Sequence, residues 1–446
     1  MGSLVVPYSE KFEDYLRDES GLVGRAESLS FPDKETEVQE IVKTMRDLGT
    51  SLTVQGGKTG LLGGAVPPGG HLMSLTKLRQ VKGLAGNKLV VEPGVTLQEV
   101  KQVLAKTNLF WPPDPSEGTA TVGGVAALGA RGMCAHYYGD TARHIEAVRV
   151  VLADGSCRLV KRGELWAGRD LLDLFLGKEG LFGVVTELTL LLQEKPEEKW
   201  GIIFFFSTES EVIAFARAAR KVEVPGAYVA ALQYLDRHIQ ELLRKSRQVV
   251  PRLQKLPELM ESGAGMVYVE IHGAWPGVEE VAEALMEAGL ACGSDPDTAL
   301  AVSGEAEVER MRLYRHLAVE CIGLQAKGPR LSMDVRVAEG ALEAVLSGFR
   351  ARCDAQGIKA GVMGSLGSGL LNINILADNE ALWQRGKDFL LDWLEAMKQY
   401  LAVGGGIGKT RRELFAKLAG DEAVQGIRRL KEMLDPQHLL NPGNMV

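Results

Sequence analysis

Hydrophobic and polar positions in the first hundred residues switch between two periods. Val38, Ile41, Val42, Met45 and Leu48 fall at helical spacing behind the polar opening Asp33-Lys34-Glu35-Thr36-Glu37, and Gly49 stops the run. The pattern predicts an amphipathic helix feeding a strand over 51–54. Further β-like runs stand at 71–75 and 88–92. After the Pro93-Gly94 turn a helix is expected to begin near Thr96, with Leu97, Val100, Val103 and Leu104 facing inward. Such alternation with short links reads as α+β.

Between 111 and 132 the periodicity fails. Pro112-Pro113-Asp114-Pro115 is followed by Gly118, Gly123-Gly124, Gly129 and Gly132 among alanines, too irregular for a long helix. Apolar runs at 145–152 and 158–160 flank Asp154-Gly155, a turn pair expected between antiparallel strands. Gly177 to Gly183 then leads into the β-branched run Val184-Val185-Thr186. After Glu194-Lys195-Pro196 the composition shifts, and strands at 200–206, 228–234, 265–272, 331–337 and 371–376 are separated by amphipathic helices, which predicts a sheet with helices on one face. A long helix over 380–401 ends at Gly404-Gly405-Gly406. The tail carries a helix near 423–434 and closes on Leu440-Asn441-Pro442-Gly443.

Length and composition narrow the function. The 446 residues exceed one ordinary core, and the 46% hydrophobic and 24% charged composition suits a soluble globular enzyme. A formal charge of −7 argues against a nucleic-acid or anionic-membrane partner held by bulk electrostatics. The five cysteines are scattered and contain no Cys-x-x-Cys pair, against a disulfide framework, structural zinc or an iron–sulfur cluster within the chain. No leader pattern and no run of 18 apolar residues stands out, so the expectation is a cytosolic protein without an integral membrane segment, docked at most to a membrane complex through a partner.

The densest candidate chemistry is Gly56-Gly57-Lys58-Thr59-Gly60-Leu61-Leu62-Gly63-Gly64, five glycines in nine residues just after a predicted strand. A main chain so poor in Cβ atoms can aim several N–H groups at one anion, whereas the plain alternative is a surface turn. It is not a nucleotide-triphosphate loop: that motif needs a glycine five residues before the second Gly, where Leu52 stands, and Val403 stands there ahead of Gly408-Lys409-Thr410.

With Pro113-Asp114-Pro115, Thr121-Val122-Gly123-Gly124, Tyr138-Gly139-Asp140-Thr141, Gly177 to Thr186 and Leu440-Asn441-Pro442-Gly443, the loop makes six stretches in one order. In that order the chain resembles the flavin-linked oxidases and dehydrogenases of the vanillyl-alcohol oxidase type, most closely the D-lactate dehydrogenase and glycolate oxidase branch. The resemblance implies a two-subdomain FAD-binding domain of the PCMH type over 1–196, an antiparallel-sheet cap over 197–402 roofing the flavin, and a tail, 403–446, returning to the FAD domain. It implies FAD as cofactor, its pyrophosphate wrapped by Gly56, Gly57, Lys58, Thr59, Gly60, Gly63 and Gly64. Thr121, Gly123 and Gly124 would pass beside the phosphates and isoalloxazine, with Pro113, Asp114, Gly139, Thr141 and Gly183 also at the cofactor. Val184 and Val185 would offer backbone groups on the adenine side. Glu179 would fix the loop, and Asn441 would return toward the flavin, a simple tail turn being its alternative.

The same resemblance exposes losses. The branch carries His-x-Gly-Asp-Gly-Asn-x-His on a cap strand and Gly-Glu-His-Gly-x-Gly in the tail. Here the first reads Ser365-Leu366-Gly367-Ser368-Gly369-Leu370-Leu371-Asn372 and the second Val403-Gly404-Gly405-Gly406-Ile407-Gly408. In relatives those imidazoles and carboxylates hold a divalent metal and take the substrate proton, roles that serine, leucine, asparagine and glycine do not perform. Ser332 likewise stands where a lysine usually precedes Asp334-Val335. No metal is therefore expected, and the catalytic residues stay unassigned. Arg312 or Arg315 could hold a substrate carboxylate, surface charge on a helix being the alternative. His136 and His144 flank the second glycine stretch, with a structural role as the default for both. Three functions remain open: an FAD oxidoreductase acting on a small acid or alcohol through other residues, an electron-transferring FAD subunit whose partner carries iron–sulfur clusters or another flavin, or a noncatalytic scaffold that keeps FAD for stability.

Overall fold

The computed structural model describes residues 4–259, 263–325, 330–338 and 340–446. The chain divides into two compact units, one made of residues 1–132, 140–195 and 405–446, the other of 133–139 and 196–404.

Two sheets organise the first unit. In a four-stranded sheet, Val6–Pro7 pairs antiparallel with Ser28–Ser30, which runs parallel to His71–Ser74 and that in turn to Leu52–Gln55. A five-stranded antiparallel sheet has the order Val81–Ala85, Lys88–Val91, Val184–Leu191, Ile145–Val151, Cys157–Lys161. The Glu35–Asp47 helix buries Val38, Ile41, Val42 and Met45 in one cluster with Leu52 and Met73 of the first sheet and Val151 and Val184 of the second. Leu439 and Leu440 from the tail complete that cluster, so residues far apart in sequence share one core.

Two inward assignments fail. Leu48 is 67% exposed because it caps the helix rather than extending it, and Val103 is 39% exposed because the Leu97–Leu104 helix presents Leu97, Val100 and Leu104 instead. That helix starts where its chemistry says it should: Thr96 and Glu99 form a reciprocal capping box.

In the second unit eight strands run antiparallel in the order Leu300–Ser303, Glu198–Phe206, Gly265–Gly273, Ala227–Asp236, Ala360–Ser365, Leu370–Ile375, Ser332–Val337, Leu401–Val403. Helices cover both faces rather than the single face expected. Ile203 and Phe205 pack with Ile239 and Leu242 of the Arg237–Ser246 helix and with Met311 and Leu317 of the Glu305–Gln325 helix. Their strand neighbours Phe204 and Phe206 point the opposite way, against Phe215 of the Glu209–Ala219 helix. The near-continuous apolar runs of these strands are the sequence sign of two covered faces. No helix among the described residues is long and apolar enough to cross a membrane.

Candidate functional site

The glycine loop of the first unit follows the Leu52–Gln55 strand. Among the described residues, no backbone carbonyl accepts from the N–H groups of Gly57 to Gly64, which leaves a row of donors uncommitted. Lys58 holds the left-handed φ of 61°, and its ammonium reaches back to Asp14, 3.0 Å from the carbonyl, as well as the Asp14 carboxylate. It therefore ties the loop to the Glu10–Leu16 turn instead of projecting into the cradle.

The loop lies directly against the second glycine stretch. A Cβ on Gly56 would stand 2.4 Å from Thr121 Oγ1, and one on Gly57 would stand 2.8 Å from the Thr119 carbonyl. Only glycine permits that approach. Thr121 opens the short Val122–Leu128 helix by accepting from Gly124 N–H, and Gly123 fits against Pro93, where a Cβ would meet the proline Cβ at 2.5 Å. Asp114 packs on Gly132 and pairs with Lys101 at 2.9 Å, while Thr141 donates to the Ala130 carbonyl. Gly139 falls in the second unit, at the end of the Ala135–Tyr138 helix, with a φ of 87°.

Tail side chains clamp this region. Asn441 accepts from Val54 N–H at 2.8 Å and donates to the Gly180 and Glu179 carbonyls at 2.9 and 3.2 Å, which joins the strand before the loop to the turn before the Val184–Leu191 strand. Gly183 fits there because a Cβ would stand 2.4 Å from Val150. Glu179 accepts from Ile407 N–H at 2.6 Å and Gly408 N–H at 2.9 Å. Burial pushes its carboxyl up, against the pull of those N–H groups and of Lys409 and Arg411. Lys409 donates to the Gly63 carbonyl at 3.2 Å and to Asn444 at 2.6 Å, and burial lowers its ammonium to about 8. The tail is thus a latch on the loop's far end. The Val184–Leu191 strand buries Val184 and Val185 in the five-stranded sheet.

In the second unit a polar cluster that the sequence reading missed lies along one strand face. Tyr268, Glu270 and His272 alternate in Gly265–Gly273, each at most 2% exposed. Arg312 Nε donates to Glu270 Oε2 at 2.8 Å and Nη2 to Oε1; Tyr268 Oη donates to Oε2 at 2.9 Å, and His272 Nε2 lies 2.6 Å from Oε1. Although burial opposes ionisation, the Arg312 charge and these hydrogen bonds hold the Glu270 carboxyl far below its usual range. Cys134, Glu270 and His272 bring ligand-type atoms within 4.8 Å of one another. Arg312, whose Nη2 is also 3.5 Å from Cys134 Sγ, already supplies the cation, so the arrangement is that of a buried ion pair. Arg312 is accordingly not surface charge, and its fork is taken by Glu270 and Glu309 rather than left for a substrate carboxylate. Arg315, one turn on, has a buried Nε without an acceptor, and burial lowers its pKa against the charge of Asp334. The warning in the sequence was Tyr-x-Glu-x-His at a spacing of two inside an apolar strand.

The residues at the lost metal motif form their own network. Asn372 donates to Asp334 Oδ1 at 2.7 Å and its side-chain Oδ1 accepts from Asn374 Nδ2 at 2.7 Å. His136 packs on Gly367, where a Cβ would meet its Nδ1 at 2.3 Å, and burial lowers its pKa. His144 is buried, and its carbonyl accepts from Trp111 Nε1 at 3.1 Å.

A cradle of free N–H groups bordered by closely packed glycines defines a flavoprotein oxidoreductase fold when set beside known proteins. Residues 26–160 match the family described as FAD binding domain. Residues 195–445 match the family described as FAD linked oxidases, C-terminal domain, more than half of the chain, and the chain belongs to that family. Similar curated proteins include a D-lactate dehydrogenase of Anaerostipes hadrus, 28% identical over 97% of this chain and 92% of that one. A mitochondrial D-2-hydroxyglutarate dehydrogenase of Bos taurus is 26% identical over 95% of this chain and 77% of its own length. Among solved structures, p-cresol methylhydroxylase with substrate bound superposes with a TM-score of 0.79 at 17% identity, covering 99% of this chain and 93% of that chain, a likeness of fold. The protein is an FAD-dependent oxidoreductase, and the unpaired donors of 57–64 suit its cofactor's diphosphate.

Proposed function

We propose that this oxidoreductase acts on a small hydroxyl-bearing donor without the metal-held histidines of the D-lactate dehydrogenase branch. The observation that carries the reading is the Asn374–Asn372–Asp334 chain: amide side chains, hydrogen-bonded to one another and to the carboxylate, occupy the strand where the resemblance puts metal ligands. An amide neither releases nor takes a proton near neutral pH, so the usual general base is gone. Bound FAD supplies a two-electron acceptor. The chain's contribution is to grip the cofactor through Gly56, Gly57, Lys58, Thr59, Gly60, Gly63, Gly64, Thr121, Gly123 and Gly124, and to fasten the loop through Glu179 and Asn441.

The test is anaerobic spectroscopy of the flavin-loaded protein with a panel of hydroxy acids and alcohols, with and without chelator. D-lactate, glycolate and 2-hydroxyglutarate are expected to leave the flavin oxidised, and any donor that bleaches it should do so equally with chelator present. Chelator-sensitive bleaching by one of those three acids would overturn the reading.

A second reading is an electron-transferring FAD subunit, favoured by Gly404-Gly405 in the place of the tail's Glu-His pair. It predicts that no donor works on the isolated chain, and that a partner bearing iron–sulfur clusters or a second flavin reduces the FAD in a reconstituted complex.

A further inference from the structure

We propose that Tyr228, Tyr138 and His272, backed by Glu270, form a one-way proton wire that takes the hydroxyl proton of a bound donor and stores it on His272. The inference deepens the oxidoreductase reading and rests on it. Oxidation at a C–OH carbon releases the hydroxyl proton, and with Ser365 and Asn372 at the strand's histidine positions and Gly405 at the tail's, another base must take it.

Direction follows from which groups can donate. The Glu270 carboxylate only accepts, so His272 Nε2, 2.6 Å from its Oε1, carries a hydrogen. Burial, helped by the charges of Arg312 and Lys199, lowers the imidazole pKa against the pull of Glu270, so the ring is neutral and Nδ1 is bare. Tyr138 Oη donates to that nitrogen at 2.7 Å. Having used its hydrogen there, it accepts from Tyr228 Oη at 2.9 Å.

Neighbouring elements fix this order. Tyr228 and His272 are directly opposed on adjacent antiparallel strands, and Tyr138 reaches both from the Ala135–Tyr138 helix. Tyr228 is half-buried and stacks on Tyr137, with ring centroids 3.6 Å apart and planes 10° from parallel; Tyr137 itself is 51% exposed. The wire thus runs from a half-buried phenol, Tyr228, to a buried imidazole.

In the step, the donor's O–H proton moves to Tyr228 oxygen, the Tyr228 proton to Tyr138 oxygen, and the Tyr138 proton to His272 Nδ1. Three O–H bonds break, while two O–H bonds and one N–H bond form; the donor is left as its alkoxide and no electron leaves the protein groups. Both phenols stay neutral throughout, as they must, because burial raises the pKa of each. The new imidazolium faces Glu270, which orients and stabilises it as the buried carboxylate of a hydrolase triad does its histidine. Around it, Tyr268 and Arg312 hold Glu270, Cys134 Sγ lies 3.6 Å from Oε1, Glu309 pairs with Arg312 Nη1 at 2.7 Å, and Lys199 stands opposite on the Glu198–Phe206 strand.

Two measurements on the FAD-loaded protein decide it. In 15N-histidine NMR near neutral pH, His272 should show a hydrogen on Nε2 and an unprotonated, hydrogen-bonded Nδ1, and Tyr138→Phe should remove the Nδ1 bond while the FAD spectrum is unchanged. A hydrogen on Nδ1 overturns the wire. Stopped-flow bleaching by whichever donor proves active should slow on the order of 10²-fold in Tyr138→Phe and in Tyr228→Phe. In wild type the rate should fall as acid protonates His272, and that limb should vanish in both variants; wild-type rates and limb in either one refute the proposal. Bleaching by no donor at all sinks the functional reading instead, and the NMR result alone then judges the wire.

Discussion

Glu35 shows how one residue couples burial to pH. Its carboxylate accepts from Arg149 Nε at 2.9 Å, Arg149 Nη2 at 2.6 Å and Thr186 Oγ1 at 2.7 Å, and the Arg149 hydrogen bonds lead in holding it down to about 2. A depressed carboxyl contributes stability that is fully present above its unfolded pKa, about 4.3, and is lost as pH falls through the folded value. Thermal melts should therefore show a loss of stability between about pH 4.5 and 2 that Glu35→Gln flattens, with the variant the less stable of the two at pH 7. An identical acid slope in both would contradict the assignment. None of this was legible beforehand, because Glu35 and Arg149 stand 114 residues apart. The glycine loop was legible at this scale, since its chemistry is main-chain and shows as composition. Tyr268, Glu270 and His272 were not, because the partners that give them meaning, Cys134 and Arg312, arrive from 136 and 42 residues away.

Among the elements, local signals located the Glu35–Asp47 helix by its periodicity, the Leu97–Leu104 helix by periodicity and its capping box, and the strands around the Asp154-Gly155 turn by their turn residues. The one-face expectation for the larger sheet failed because the alternation of strands with helices does not say which face each helix covers; the sign of two covered faces lay in the near-continuous apolar runs of the strands themselves. Tail elements divide their glycines by role. Gly408 has a φ of +55°, and a Cβ there would stand 2.1 Å from the Leu62 carbonyl, whereas Gly426, inside the Asp421–Leu434 helix, would place its Cβ in open space. Gly408→Ala should accordingly cost on the order of 2–4 kcal/mol and release FAD on gel filtration. Gly426→Ala should stabilise by roughly 0.5–1 kcal/mol, the helix-propensity gain, with the flavin spectrum unchanged. Equal effects of the two, read by denaturant titration, would show that the tail is not held on the loop as described.

For the whole molecule, the order of the segments in sequence and their grouping in space differ, and this decides what the tail does. Residues 405–446 belong to the unit formed by the first part of the chain, although the intervening 196–404 build another. Leu52 N–H donates to the Leu439 carbonyl at 2.7 Å and Asn441 N–H to the Leu52 carbonyl at 2.8 Å, so the tail extends the edge of the strand from which the glycine loop springs. Lys431, buried, donates to the Leu181 and Leu440 carbonyls at 2.7 Å each and to Asp435 at 2.6 Å, closing the same seam from the helix side. Removing the tail takes away Leu439 and Leu440 from the core, the partners of Glu179, and every hydrogen bond of Asn441 at once. A chain truncated after Gly404 should therefore emerge without flavin colour and fail to regain it when FAD is added. The full chain carrying Gly426→Ala should keep its colour. Stoichiometric FAD on the truncated chain would mean that the loop's N–H groups hold the cofactor without their latch, and the dependence of the cradle on residues 405–446 would have to be given up.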